Sequence, residues 1–186
     1  MPCRLDIIIV VDESASVGST NFGKTKVFIS ELVGTLDIDS TSGARVGVVT
    51  FGTHVDQHEL INLKDHSTVA DVQAAIDALA YTGGGTKTDQ ALNYVRTDML
   101  TSASGDRPDV PNVVIVITDG KSKNRRQTKV CTRSSATAEK QRVSCPHGGG
   151  LGLLAHSPSA HSGYTYAYGQ SQIRNPQQTY LRRAVH

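Results

Sequence analysis

LDIIIVVDESAS, residues 5–16, is the stretch that decides how this chain folds. Leu5–Val11 is aliphatic and mostly β-branched, is broken only by Asp6, and ends at Asp12. Such a run suits a strand covered on both faces, the pattern of a parallel sheet. The chain then turns polar as Asp12-Glu13-Ser14-Ala15-Ser16. Alternate residues of an extended stretch point the same way. One carboxylate and two hydroxyls, from Asp12, Ser14 and Ser16, therefore converge on a point, while Glu13 points away and reads as solvated.

Outward from this stretch, Phe22, Ile29, Leu32, Val33 and Leu36 fall at helical spacing, after candidate caps at Ser19 and Thr20. Arg45–Phe51 (RVGVVTF) predicts a second strand, and the more polar Val55–Ile61 a hairpin partner at the sheet edge. Val69, Val72, Ile76 and Leu79 predict a second helix with Asp65 or Ser67 near its cap. Gly83-Gly84-Gly85 breaks the chain, and Thr88, Ala91, Leu92, Val95 and Met99 mark a third helix. After a loop over Gly105–Pro111, Val113–Ile117 is another fully apolar strand, ending in Thr118-Asp119-Gly120. This order predicts an α/β fold, a doubly wound, mostly parallel sheet with helices on both faces. Ligands of such open sheets bind beyond the carboxyl ends of the strands, where Asp12 and Asp119 both stand.

The 186 residues suit one domain, but the net charge of +2 conceals a division. Residues 1–120 hold 8 basic and 16 acidic side chains, and residues 121–186 hold 11 basic and 1 acidic. The second part carries only eight large aliphatic residues, a Gly148-Gly149-Gly150 run and a Ser/His/Tyr-rich stretch. Residues 122–186 therefore read as a basic, low-complexity tail without strand or helix period. The run Lys121–Arg133 reads as solvated rather than as a nucleic-acid surface. The alternation Tyr164, Tyr166, Tyr168 resembles a stacking strand, but nothing around it supports a fold. Three scattered cysteines, Cys3, Cys131 and Cys145, form no disulfide framework, and without a CxxC a structural zinc site has no support. No apolar run is long enough to span a membrane, and the first residues lack the features of a signal peptide.

The glycines before Thr86 let the backbone bring its hydroxyl close, and Asp119 adds a second carboxylate. Oxygen donors of low total charge suit a hard cation, Mg²⁺ above Mn²⁺ or Ca²⁺. D-x-S-x-S after an apolar strand, G-G-T-x-T before a helix, and an apolar strand ending T-D-G together resemble the von Willebrand factor A family. PCRLDIIIVVDESASVGSTNF, RVGVVTFGTHV and AYTGGGTKTDQALNY are most similar to its extracellular-matrix branch, the matrilin-like and collagen-associated proteins. The likeness spans about residues 3–121. It implies a Rossmann-like fold with a metal-ion-dependent adhesion site of Asp12, Ser14, Ser16, Thr86 and Asp119. It also implies a secreted, extracellular setting. The partner would be collagen or another matrix protein, engaging the metal through an acidic side chain. In matrix-type relatives a cysteine placed like Cys3 often bonds one near the other end of the domain; no partner for it is evident here. Asp89 stands where the family commonly has Gly, and the strands that the family places after T-D-G are not found, so the fold is expected to be incomplete at its C-terminus.

Simpler readings of the same residues are caps and turns for Asp12, Asp119 and Thr86, and surface positions for His54, His58 and His66. No histidine stands in the three motifs and no catalytic residue is expected, so a binding module is favoured over a hydrolase. Two alternatives are a truncated or mis-predicted fragment without binding competence and an intracellular scaffold domain.

Overall fold

The computed structural model describes residues 4–39, 41–57 and 59–119, and the backbone of 163–168. Strand β1 (Asp6–Asp12) leads to helix α1 (Gly18–Gly34) and strand β2 (Arg45–Phe51). Helices α2 (Val69–Ala78) and α3 (Thr88–Tyr94) follow, then strands β3 (Asn112–Ile117) and β4 (Gly163–Tyr168). The strands lie in the order β2-β1-β3-β4 and every pair is parallel.

β1 is buried at all seven positions because each face of the sheet is covered. Ile7, Ile9 and Val11 pack with Phe22, Ile29 and Val33 of α1 and with Val72 and Ile76 of α2. Ile8 and Val10 face the other way, onto Ala91, Val95 and Met99. The period of two along the strand thus feeds two separate cores. At the amino end of the sheet, Asp6 is fully buried and paired with Arg107. Arg107 Nη2 and Nε donate to Asp6 Oδ1 at 2.6 and 2.9 Å, and the Arg107 backbone N–H donates to Oδ2 at 2.8 Å.

The doubly wound, mostly parallel sheet agrees with the sequence; several details differ. α1 starts at Gly18, with Val17 at its cap and no side-chain cap hydrogen bond, so Ser19 and Thr20 lie inside the helix. α2 is capped by Thr68, not by Asp65 or Ser67. Val55–Ile61 forms no strand; it contributes isolated bridges from Val55 to Phe51 and from Ile61 to Val48. The third helix changes at Val95 to a π-helical turn, Val95–Met99. Contrary to the expectation of a tail without strands, Gly163–Tyr168 forms β4, paired along all of β3. Cys3, Cys131, Cys145, His58 and the run Lys121–Arg133 lie outside the described residues. No helix among the described residues is long and apolar enough to cross a membrane.

Candidate functional site

β1 and β3 run side by side with Val11 opposite Ile117, so Asp12 and Thr118-Asp119 leave the sheet together at its carboxyl end. Asp12 is buried, 2% exposed, and both of its oxygens are engaged. Oδ1 accepts the Ser14 backbone N–H at 2.8 Å, and Oδ2 accepts the Thr118 hydroxyl at 2.5 Å. Ser14 Oγ and Ser16 Oγ are 3.0 Å apart, and Ser16 Oγ donates to Asp119 Oδ1 at 3.1 Å. A hydroxyl has one proton. With the Ser16 proton given to Asp119, Ser14 donates to Ser16, and the chain of oxygens runs in one direction. Each hydroxyl oxygen keeps a lone pair. Asp12 and Ser14 are buried while Ser16 and Asp119 are exposed, so the group opens to solvent on one side.

Thr86 reaches this region through its loop. Ala15 N–H donates to the Gly84 carbonyl at 3.0 Å, and Tyr81 Oη donates to the Ser14 carbonyl at 3.3 Å. From the loop just after β2, Thr53 Oγ1 accepts the Gly85 N–H at 2.8 Å and the Gly52 carbonyl accepts the Lys87 N–H at 3.1 Å. The Thr86 residue itself is 8% exposed. The structure therefore joins Ser14, Ser16 and Asp119 by side-chain hydrogen bonds, ties Asp12 to Ser14 through the Ser14 backbone N–H, and docks the loop that carries Thr86 against the Ser14–Ala15 backbone.

Two features were not read from the motifs. Thr118, inside T-D-G, orients Asp12. Glu13 is not solvated: it is 2% exposed, and its Oε1 accepts the Thr82 hydroxyl at 2.8 Å. Burial pushes the Glu13 carboxyl above its ordinary range; hydrogen bonds from Thr82 oppose that rise, and the nearby Asp56 and Glu59 add to it. Its burial follows from Glu13 N–H donating to the Phe51 carbonyl at 2.9 Å, which continues the sheet one residue past β1. Glu13, Thr82, Gly83 and Gly84 line an open cleft together with residues 53–57. His54 is exposed and His66 half-buried.

The donor set fits a hard divalent cation. Two carboxylates and three hydroxyls offer oxygen only, and the charge is low enough for water to complete a shell. Among the described residues no three His, Cys, Asp or Glu side chains gather around a common point. A cation here would thus rest on hydroxyls as much as on carboxylates.

Comparison with known proteins follows the same lines. Matrilin-1 of Gallus gallus is 38% identical over 120 residues, covering 64% of this chain and 24% of the matrilin. The collagen alpha-4(VI) chain of Mus musculus is 37% identical over 124 residues, covering 66% of this chain and 5% of that one. Vitrin of Homo sapiens is 32% identical over 118 residues, 63% of this chain and 17% of its own. The chain therefore spans a quarter or less of these relatives. Among solved structures, proximal thread matrix protein 1 from the mussel byssus superposes with a TM-score of 0.65 at 28% identity, over 72% of this chain and 35% of its own. A second structure of that protein, described as having a zinc occupied MIDAS motif, gives a TM-score of 0.61 at 25% identity, over 72% of this chain and 34% of that one. The family model for the von Willebrand factor type A domain matches residues 6–145, and the chain belongs to that family.

Proposed function

We propose that this domain is a Mg²⁺-dependent protein-binding module of an extracellular-matrix protein, with Asp12, Ser14, Ser16, Thr86 and Asp119 holding the metal. The observation that carries this reading is the run of hydrogen-bonded oxygens Ser14–Ser16–Asp119 at the carboxyl end of the sheet, with Asp12 tied to it through the Ser14 N–H. The zinc reported in the mussel byssus protein supports a divalent cation at the corresponding site. When bound, the metal supplies an electrophilic centre that accepts a carboxylate oxygen. The chain's own residues do the rest. Thr118 and the Ser14 N–H orient Asp12, Ser16 orients Asp119, and the exposed side of the group leaves room for an acidic side chain of the partner. The relatives support a matrix protein such as collagen as that partner. They also support an extracellular setting. No group in the site is placed as a general base or nucleophile, and this favours binding over catalysis. The division of the chain into a module at residues 3–121 and a basic segment at 122–186 belongs to this reading and rests on the reversal of charge after Asp119, with Gly163–Tyr168 of the basic segment adding its strand to the sheet of the module.

Thermal unfolding of the chain in EDTA and in rising Mg²⁺ tests it. A metal at 100 times its dissociation constant that binds only the folded state adds about 2.7 kcal/mol. The melt should rise with Mg²⁺ in the wild type and stay fixed in Asp119→Ala. Binding to immobilised collagen should then vanish in EDTA. A cooperative melt indifferent to Mg²⁺ would remove the metal from the reading, and no cooperative melt at all would favour a fragment without binding competence.

A further inference from the structure

We propose that Glu13 is a positioning residue of the metal site, its buried carboxylate latching the loop of Asp12, Ser14 and Ser16 to the loop of Thr86 through Thr82. The proposal rests on the cation reading above. Glu13 lies between Asp12 and Ser14 in sequence, and its carboxylate bonds instead to Thr82, four residues before Thr86. Between Thr82 and Thr86 run three glycines, of which Gly83 and Gly84 have φ of 77° and 101°. A stretch without side chains has wide conformational freedom, so its position must be imposed from outside. The first loop imposes it through three bonds: Ala15 N–H to the Gly84 carbonyl, Tyr81 Oη to the Ser14 carbonyl, and Thr82 Oγ1 to Glu13. The last joins two side chains and is assisted by charge, which makes such a bond roughly twice as strong as a neutral one. A carboxylate with 2% exposure carries a desolvation cost that an apolar residue of like size would avoid. That the cost is borne at the junction of the two metal-bearing loops points to a role in aligning them. Groups that orient metal ligands are worth roughly 10- to 100-fold in metal affinity.

Thr82 is exposed, so it can be altered without disturbing the core. Isothermal titration of Mg²⁺ into the full chain, with melts in EDTA, would compare wild type with Thr82→Val, Thr82→Ser and Glu13→Ala. Thr82→Val is expected to weaken Mg²⁺ binding about 10-fold or more and, by taking the hydroxyl donor from the buried Glu13 carboxylate, to lower the EDTA melt as well. Thr82→Ser, which keeps the hydroxyl, should restore binding. Glu13→Ala combined with Thr82→Val should bind no worse than Glu13→Ala alone. Wild-type affinity in Thr82→Val, or equal losses in the Val and Ser variants, would overturn the latch and leave the cation reading standing. Absence of Mg²⁺ binding by the wild type would overturn both.

Discussion

At the residue scale the candidate site depends on positions outside the five residues proposed to hold the metal. Gly52 is one of them. A Cβ there would stand 2.4 Å from the Gly83 carbonyl oxygen, so the end of β2 and the glycine loop touch only because the side chain is a hydrogen. Gly52→Ala must push the loop outward or distort β2. Forcing an extra carbon into such a contact costs about 1–3 kcal/mol. The substitution is expected to lower the melting temperature in EDTA and to weaken Mg²⁺ binding together. An unchanged melt would mean that the loop yields freely and that its docking is not tight. The D-x-S-x-S spacing announced Asp12, Ser14 and Ser16 because alternation is a local property of extended backbone. It gave no notice of Gly52, whose neighbour lies 31 residues away in the chain.

At the scale of elements, the helices begin for different reasons. α2 starts at an extended Thr68 whose Oγ1 accepts the Asp71 N–H at 3.2 Å and donates to Asp71 Oδ2 at 2.7 Å. Thr68→Ala should cost about 1 kcal/mol in urea denaturation, without changing Mg²⁺ affinity, because the Thr68 hydroxyl bonds to Asp71 in the first turn of α2, at the end of the helix remote in sequence from the loop of Thr82 and Thr86. A shift in affinity would show that α2 takes part in placing the site. α1 has no comparable cap: its first turn grows out of the Asp12 loop through the Ser14 carbonyl, which accepts the Val17 N–H at 3.0 Å. Ser19 and Thr20 looked like caps because their chemistry suits caps, but the local turn at the Ser14 carbonyl started the helix earlier. The widening of α3 into a π-helical turn, with Leu100 N–H donating to the Val95 carbonyl at 2.9 Å, follows the same pattern. Val95 and Met99 stay buried against the sheet through that turn.

At the scale of the molecule, the buried Asp6–Arg107 pair ties the first residue of β1 to the loop before β3, at the end of the sheet opposite the proposed metal site. Arg107 also donates to the Gly43 carbonyl at 3.0 Å, so three segments meet at one guanidinium. Removing one partner strands the other charge in the interior. Arg107→Ala is expected to destabilise the fold by about 3–5 kcal/mol, read from chemical denaturation, with Mg²⁺ affinity in the surviving folded protein unchanged. A loss below 1 kcal/mol would mean that solvent reaches Asp6 readily. Neither residue stood out in sequence: Asp6 looked like an interruption of an apolar run, and Arg107 lay in a stretch read as a loop.

The sequence by itself determined the period of each element, the parallel sheet covered on both faces, and the oxygen-rich motifs at the carboxyl ends of β1 and β3. These follow from local alternation, helical spacing and residue chemistry, which act over a few neighbours. The tertiary structure alone decided that Glu13 is buried, that Thr82 and Thr118 hold its neighbourhood and Asp12, and that Gly163–Tyr168 pairs with β3. Each of these depends on contacts between residues tens of positions apart. A carboxylate's side of a strand can be read from its neighbours in the chain; what lies on that side is set by segments that only folding brings there.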